Sequence, residues 1–174
     1  MYICINNRKF KLLTNNYDLG ERLEKTKKIC LTASAGGHLK EIIQLKPFYK
    51  QHEHYFVTLA REDGKSLANK EKTYFVECPS RNPLRFALNF FQSLKILLKE
   101  KPDIVISTGA DTALATCYLA KLFGKKIIYI ESFCRPSKPS ITGKMVYPIA
   151  DLFIYQWKEI EQFYPKGKFG GSIF

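Results

Sequence analysis

Between Ile29 and Leu45 the chain runs from a short apolar stretch through Ser34-Ala35-Gly36-Gly37-His38 into a helical repeat, and this strand–turn–helix unit restricts the fold more than any other feature. Two glycines let the backbone reverse sharply and approach a ligand closely. The helix that follows points free N–H groups and the positive end of its dipole at whatever sits above the turn. His38 stands at the start of that helix. A positive end disfavours imidazolium and keeps the ring neutral, the form a general base needs. A glycine turn by itself also serves as a plain structural corner, so its meaning depends on what converges on it.

The same unit recurs along the chain. Lys28–Ala33 reads as a buried strand. Leu39–Lys50 reads as a helix with Leu39, Ile42, Ile43 and Leu45 at helical spacing, interrupted late by Pro47. Further strands are expected at 54–59, 73–77, 103–107, 126–130 and 151–155. Helices are expected at 64–71, 84–99, 111–123, 142–147 and 156–164, with Gly124 closing the helix before it. Short apolar strands alternating with helices predict an α/β fold: a single Rossmann-like, doubly wound parallel sheet covered on both faces. Residues 28–174 are expected to form this domain, and residues 1–27 a basic N-terminal extension.

Composition narrows the class. With 174 residues, 45% hydrophobic and 25% charged, the chain is a globular domain of ordinary size. Its 28 basic and 16 acidic side chains give a net charge of +12. That balance favours anionic partners such as phospholipid head groups or phosphorylated and nucleotide-linked substrates. The basic residues are scattered and no recognition motif appears, which argues against nucleic acid. Five cysteines without a C-x-x-C pair, and histidines without metal-ligand spacing, point to a reduced, metal-free, cytosolic protein. No run approaches the roughly 18 apolar residues of a membrane span, so any membrane attachment is expected to be peripheral.

A sheet of this kind binds ligands at the carboxyl ends of its strands, and three polar clusters converge there. The first holds Ser34, Gly36, Gly37 and His38. The second holds Ser107, Gly109 and Asp111, with Asp111 expected to cap a helix. The third begins at Glu131, which stands either as a functional carboxylate or as a group that orients the loop. The helix over 84–99 carries a surplus of apolar residues. Leu84, Ala87, Leu88, Phe91, Leu94 and Leu98 read as its core stripe, and Phe86, Phe90 and Leu97 extend it sideways. Arg81, Arg85, Lys95, Lys99 and Lys101 flank it. Arg85, Phe86 and Phe90 are therefore expected on a membrane or partner face.

Several spaced segments, from Lys28 to Phe174, resemble one family in one order. They are Ser34-Ala35-Gly36-Gly37-His38, Lys101–Gly109, Ile128-Tyr129-Ile130-Glu131-Ser132, Lys138–Lys144, Gln156-Trp157 and the terminal Gly170–Phe174. The sequence is similar to the acceptor-side subunit of split GT-B glycosyltransferases. These include PssD-type bacterial polysaccharide proteins and the eukaryotic anchoring subunit of the transferase that adds the second GlcNAc to dolichol-linked chitobiose. The resemblance implies the N-terminal half of a MurG-like, GT-B fold. It further implies a lipid-linked glycan acceptor at the cytoplasmic face of the membrane and a separate donor-binding subunit that holds the UDP-sugar (GlcNAc or galactose). No cofactor is implied.

In an inverting transfer of this kind, His38 would contact or deprotonate the acceptor hydroxyl, and Glu131 would act as base or orienter. Gly36, Gly37 and Gly109 would admit the acceptor pyrophosphate. The tail Gly171, Ser172, Ile173 and Phe174 is expected to meet the partner. Two other readings stay open: a non-catalytic membrane scaffold for a complete glycosyltransferase, and a stand-alone nucleotide-binding enzyme. Ser34–His38 lacks the G-x-G-x-x-G spacing of the dehydrogenases that share this fold.

Overall fold

Apolar side chains on both sides of each central strand require cover on both sides of the sheet, and the chain supplies it. The computed structural model describes residues 2–5, 8–11, 27–80 and 82–174. Within them, β1 (Tyr2–Ile5) and β2 (Arg8–Lys11) pair antiparallel as a separate two-stranded sheet. The rest of the expected extension 1–27, apart from Lys27, lies outside the described residues, as does Arg81.

The main sheet has seven parallel strands: β3 (Lys28–Ala33), β4 (Glu53–Thr58), β5 (Thr73–Phe75), β6 (Ile104–Gly109), β7 (Lys126–Ile130), β8 (Leu152–Tyr155) and β9 (Lys168–Phe169). Their order is β5-β4-β3-β6-β7-β8-β9. The chain winds outward from β3 to β5, then returns and winds the other way from β6. The switch point therefore lies between β3 and β6, where a doubly wound sheet opens a crevice at its carboxyl edge. Register places Ala33 opposite Gly109 there, after an irregularity between Thr32 and Ala33.

One face is covered by α1 (Gly37–Ile43) and α2 (Lys46–Tyr49); Leu39 and Ile42 of α1, Leu45 between the helices and Phe48 of α2 pack on Ile29, Leu31, Ile106 and Ile128. Pro47 sits in the first turn of α2, and the expected long helix is two short ones. The short α3 (Glu62–Ala68) joins β4 to β5. The other face carries α4 (Pro83–Glu100), α5 (Leu114–Leu122) and α6 (Ile141–Val146). Ile96, Leu97, Cys117, Leu119 and Val146 pack there on Cys30, Val105, Ile127 and Tyr129.

Four expectations need correction. The helix expected from Asp111 begins with a 3-10 turn, Asp111–Ala113, after Ala110. Asp111 caps no helix, and its carboxylate accepts from Ser80 N at 3.2 Å. The stretch 156–164 contains a 3-10 helix, Lys158–Phe163, and a seventh strand, β9, follows it.

The third and fourth corrections concern α4. Asn82 caps it by accepting from Leu84 N and Arg85 N, Pro83 opens it, and Lys101 in the left-handed region ends it. Yet the face turned inward is Asn89, Ser93, Ile96, Leu97 and Glu100. Asn89 Nδ2 donates to Glu77 O (2.7 Å) and Ser93 Oγ accepts from Thr116 (3.0 Å), so polar side chains close the contact with α5. Most of the expected core stripe instead points out: Leu84 is 77%, Leu88 56% and Phe91 65% exposed, whereas Leu94 packs against the core as expected and Leu97, expected beside the stripe, is 4% exposed. Phe90, expected on the surface, is half-buried against the core.

Candidate functional site

His38 lies at the switch point, on the second residue of α1. Its Nδ1 sits 2.8 Å from Thr108 O, a carbonyl in the last two residues of β6. A carbonyl only accepts, so Nδ1 carries the proton and Nε2 keeps its lone pair. Thr108 Oγ1 returns a hydrogen bond to His38 O at 2.7 Å, which clamps the ring's own backbone. Burial holds the imidazole pKa below its usual 6.5, and Arg135 acts in the same direction; the Thr108 bond and Glu131 oppose them. The result is a neutral imidazole with one fixed tautomer.

The two glycine turns shape the space around this ring. Gly36 has φ +87°, which an L side chain rarely adopts, and open space lies above it and Gly37. Its N–H is engaged by the carboxylate of Asp63 (Oδ2, 2.5 Å), a residue in the first turn of α3. Gly109, at φ +115°, leaves room for the ring: a Cβ there would stand 3.3 Å from His38 Cε1 and 2.8 Å from Tyr129 Oη. Ser107 is fully buried and its Oγ accepts from Gly109 N at 3.1 Å, so it braces the turn from below. Ser34 Oγ donates locally to Ala35 O. Ala110, next in line, is held at φ +72°, a strained conformation for a residue other than glycine.

Glu131 follows β7 and is fully buried. One oxygen accepts from Ser132 N (3.0 Å), the other from Tyr164 Oη (2.6 Å) and Ser140 N (3.2 Å). Gly143 of α6 comes so near that a Cβ would lie 2.1 Å from Glu131 Oε2. Both oxygens are thus spent on the chain itself, tying the loop after β7 to α6 and to Tyr164.

The tail is held by the same neighbourhood. Gln156 Nε2 donates to Glu131 O (2.9 Å), and its Oε1 accepts from Ile173 N (2.8 Å). Gly171 turns at φ +74°, and Ser172 Oγ pairs with Phe174. Ile173 packs inward, whereas the Phe174 ring meets Phe133 at 5.5 Å and stays mostly exposed. Phe133, Gln156, Trp157, Phe169, Gly171 and Ser172 line a cavity of about 390 Å³ beside the tail.

On the opposite layer, α4, α5 and α6 lie side by side with apolar residues in solvent: Leu84, Phe86, Leu88, Phe91 and Leu98, then Tyr118 and Leu122, then Ile141 and Met145. Arg85, Lys95, Lys99 and Lys144 are exposed around them. No helix among the described residues is long and apolar enough to cross a membrane.

The structure therefore brings His38, Gly36, Gly37 and Gly109 together. Ser107 braces the second turn, Glu131 is spent on Ser132, Ser140 and Tyr164, and Asp111 is drawn toward Ser80. Sequence reasoning missed Asp63 and Glu41. Asp63 sits in a polar helical stretch that gave no sign of reaching the turn. Glu41, three residues after His38, reads as one more solvated helical charge.

Comparison with known proteins bears on the family and the fold. The family model "Oligosaccharide biosynthesis protein Alg14 like" matches residues 78–173. The UDP-N-acetylglucosamine transferase subunit ALG14 of Rattus norvegicus is 27% identical over 177 residues, covering 83% of this chain and 82% of that protein. Among solved structures, MurG of Acinetobacter baumannii superposes with a TM-score of 0.64 at 14% identity, over 76% of this chain and 42% of its own. UDP-N-acetylglucosamine 2-epimerase of Rickettsia bellii gives 0.70 at 17%, over 85% and 45%. The chain spans less than half the length of either structure, and at these identities the likeness is one of fold: a GT-B half-domain. By the match over residues 78–173, the chain belongs to the Alg14-like family of oligosaccharide biosynthesis proteins.

Proposed function

We propose that this chain is the acceptor-binding subunit of a two-chain UDP-GlcNAc transferase, working at the cytoplasmic membrane surface on a lipid-linked glycan. The observation that carries the reading is His38: a neutral imidazole, its tautomer set by Thr108 O, at the switch point of half a GT-B fold. The likeness to the rat UDP-N-acetylglucosamine transferase subunit supports GlcNAc as the sugar.

His38 Nε2 takes the proton from the acceptor hydroxyl, and that oxygen attacks the anomeric carbon with inversion. The bond from that carbon to the UDP oxygen breaks and UDP leaves. Ser34, Gly36, Gly37 and Gly109 border the acceptor, with Ser107 bracing the second turn. Glu131 acts as orienter, since its oxygens are occupied by Ser132, Ser140 and Tyr164. The donor-binding partner docks at the Gly171–Phe174 tail. The exposed apolar residues of α4, α5 and α6, ringed by lysine and arginine, rest on the membrane.

The test is sugar transfer by the complex captured from the protein's own cells, with His38→Ala compared against wild type. Transfer is expected to fall by about 100-fold or more, the scale of a lost general base, while partner capture is retained. Normal transfer by the variant would remove His38 from the mechanism.

A further inference from the structure

Glu41 is a carboxylate buried in the core-facing side of α1, with no ion pair among the described residues. It is 1% exposed. Its Oε1 accepts from Ser132 Oγ at 2.9 Å and from Phe133 N at 3.1 Å, residues more than ninety positions away in the chain. Its Oε2 is buried and has no partner among the described residues. A buried carboxylate is costly, and an apolar residue would pack α1 at less expense. The tie to the loop is what the carboxylate adds.

That loop is held from two sides. Phe133 gives its N–H to Glu41, and its carbonyl accepts from Trp157 Nε1 at 2.7 Å. The Phe133 ring lies 4.9 Å from the Trp157 ring and 5.5 Å from the Phe174 ring. Ser132, the other residue bound to Glu41, accepts through its Oγ from Cys134 N and through its carbonyl from Arg135 N. Glu41 is one helical turn after His38, so the helix that presents the imidazole also fixes the loop running to Arg135 and to the tail.

Building on the proposed function, we infer that Glu41 is a positioning residue of the acceptor site: through Ser132 and Phe133 it locks the loop after β7 to the helix that carries His38. It touches no substrate. Its oxygen sets the distance between two walls of the site, and its removal frees Phe133 from one of its two tethers.

Trp157 is the chain's single tryptophan, so its emission reports on the loop without any assay of activity. Glu41→Gln keeps an acceptor oxygen in place, whereas Glu41→Ala removes it. With both variants folded by circular dichroism, the Gln variant is expected to reproduce the wild-type emission. The Ala variant is expected to shift it to the red and to raise quenching by acrylamide. In the transferase complex, the Ala variant should raise KM for the lipid-linked acceptor by about tenfold, the scale of one lost hydrogen bond. Its kcat and its KM for UDP-GlcNAc should stay near wild type, and the Gln variant should restore the acceptor KM.

Unchanged Trp157 emission in a folded Ala variant would overturn the inference, as would equal damage from Gln and Ala. If the Ala variant does not fold, Ser132→Ala removes one donor to the same oxygen. A smaller red shift then supports the tie, and none refutes it. Failure of the wild-type complex to transfer sugar would sink the proposed function and leave the fluorescence result to decide Glu41's role on the loop.

Discussion

Replacing Leu88 and Phe91 together by serine separates two opposite accounts of α4. If these residues were core, as helical spacing suggests, the double change would remove two large buried side chains and cost several kcal/mol of stability. The structure places them outside: Leu88 is 56% and Phe91 65% exposed. Full burial of such a side chain contributes about 1.5–3 kcal/mol. Scaled by those exposures, about 1–2 kcal/mol per residue remains to be gained when the face meets a membrane. The pair is thus worth about 2–4 kcal/mol, or roughly 30- to 700-fold in partitioning.

Co-sedimentation with vesicles containing anionic phospholipid, at low salt, should show a loss in that range for Leu88→Ser/Phe91→Ser. Stability in thermal unfolding should fall by only about 1–2 kcal/mol, the share of each side chain's burial that the fold already holds. Leu97→Ser is the control, since Leu97 is 4% exposed in the core, and it should lower stability by about 2 kcal/mol or more. Unfolding of the double variant several kcal/mol below wild type would refute the outward placement. Unchanged vesicle binding would refute the membrane role of this face.

Three further outcomes follow from the geometry. Burial, reinforced by Glu131, pushes the Glu41 carboxyl up to about 7 from its ordinary 4.5, against the opposing bonds from Ser132 and Phe133. The folded state therefore holds the proton longer than the unfolded one. The stability this contributes is fully present below about pH 4.5 and is lost as pH rises through about 7, by about 3 kcal/mol in all. Denaturation of wild type at pH 5 and pH 8.5 should show that loss and Glu41→Gln should not; parallel pH dependence in both would contradict it. Gly143→Ala should destabilise by about 1–3 kcal/mol in thermal unfolding, because its Cβ would stand 2.1 Å from Glu131 Oε2; helix propensity alone favours alanine by about 1 kcal/mol, so a stabilised variant would mean the Glu131 contact yields freely. The imidazole of His38 has its pKa lowered, so the acid limb of the pH–rate profile of transfer should lie below pH 6.5; a limb above that value would assign it to another group.

Much of the architecture was written in local patterns. Apolar strands between glycine and proline punctuation gave the parallel sheet, and the turns at Gly36 and Gly109 marked its switch point. What escaped depended on tertiary partners. Helical spacing on α4 was read correctly in period but on the wrong side, because Asn89 and Ser93 find hydrogen-bonding partners in Glu77, Thr112 and Thr116 that no local window contains. With those partners inside, Leu84, Leu88, Leu98 and Phe91 turn outward. β9, two residues long, is too short to show a period. Glu131 ends an apolar strand beside the crevice and invites a catalytic reading; Tyr164, Ser140 and Ser132, which occupy it, come from separate stretches. Glu41 and Asp63 were invisible for the same reason. Their partners, Ser132, Phe133 and Gly36, are brought near only by the crossovers of the sheet.

The most direct test of a half-transferase is a rate measured three ways on vesicles carrying the lipid-linked acceptor: this chain alone, the captured partner alone, and the two mixed. Labelled UDP-GlcNAc supplies the sugar. Transfer that requires both chains, and saturates at equal amounts of each, is the predicted result. Transfer by the partner alone at the full rate would contradict the account, leaving this chain no part in the chemistry.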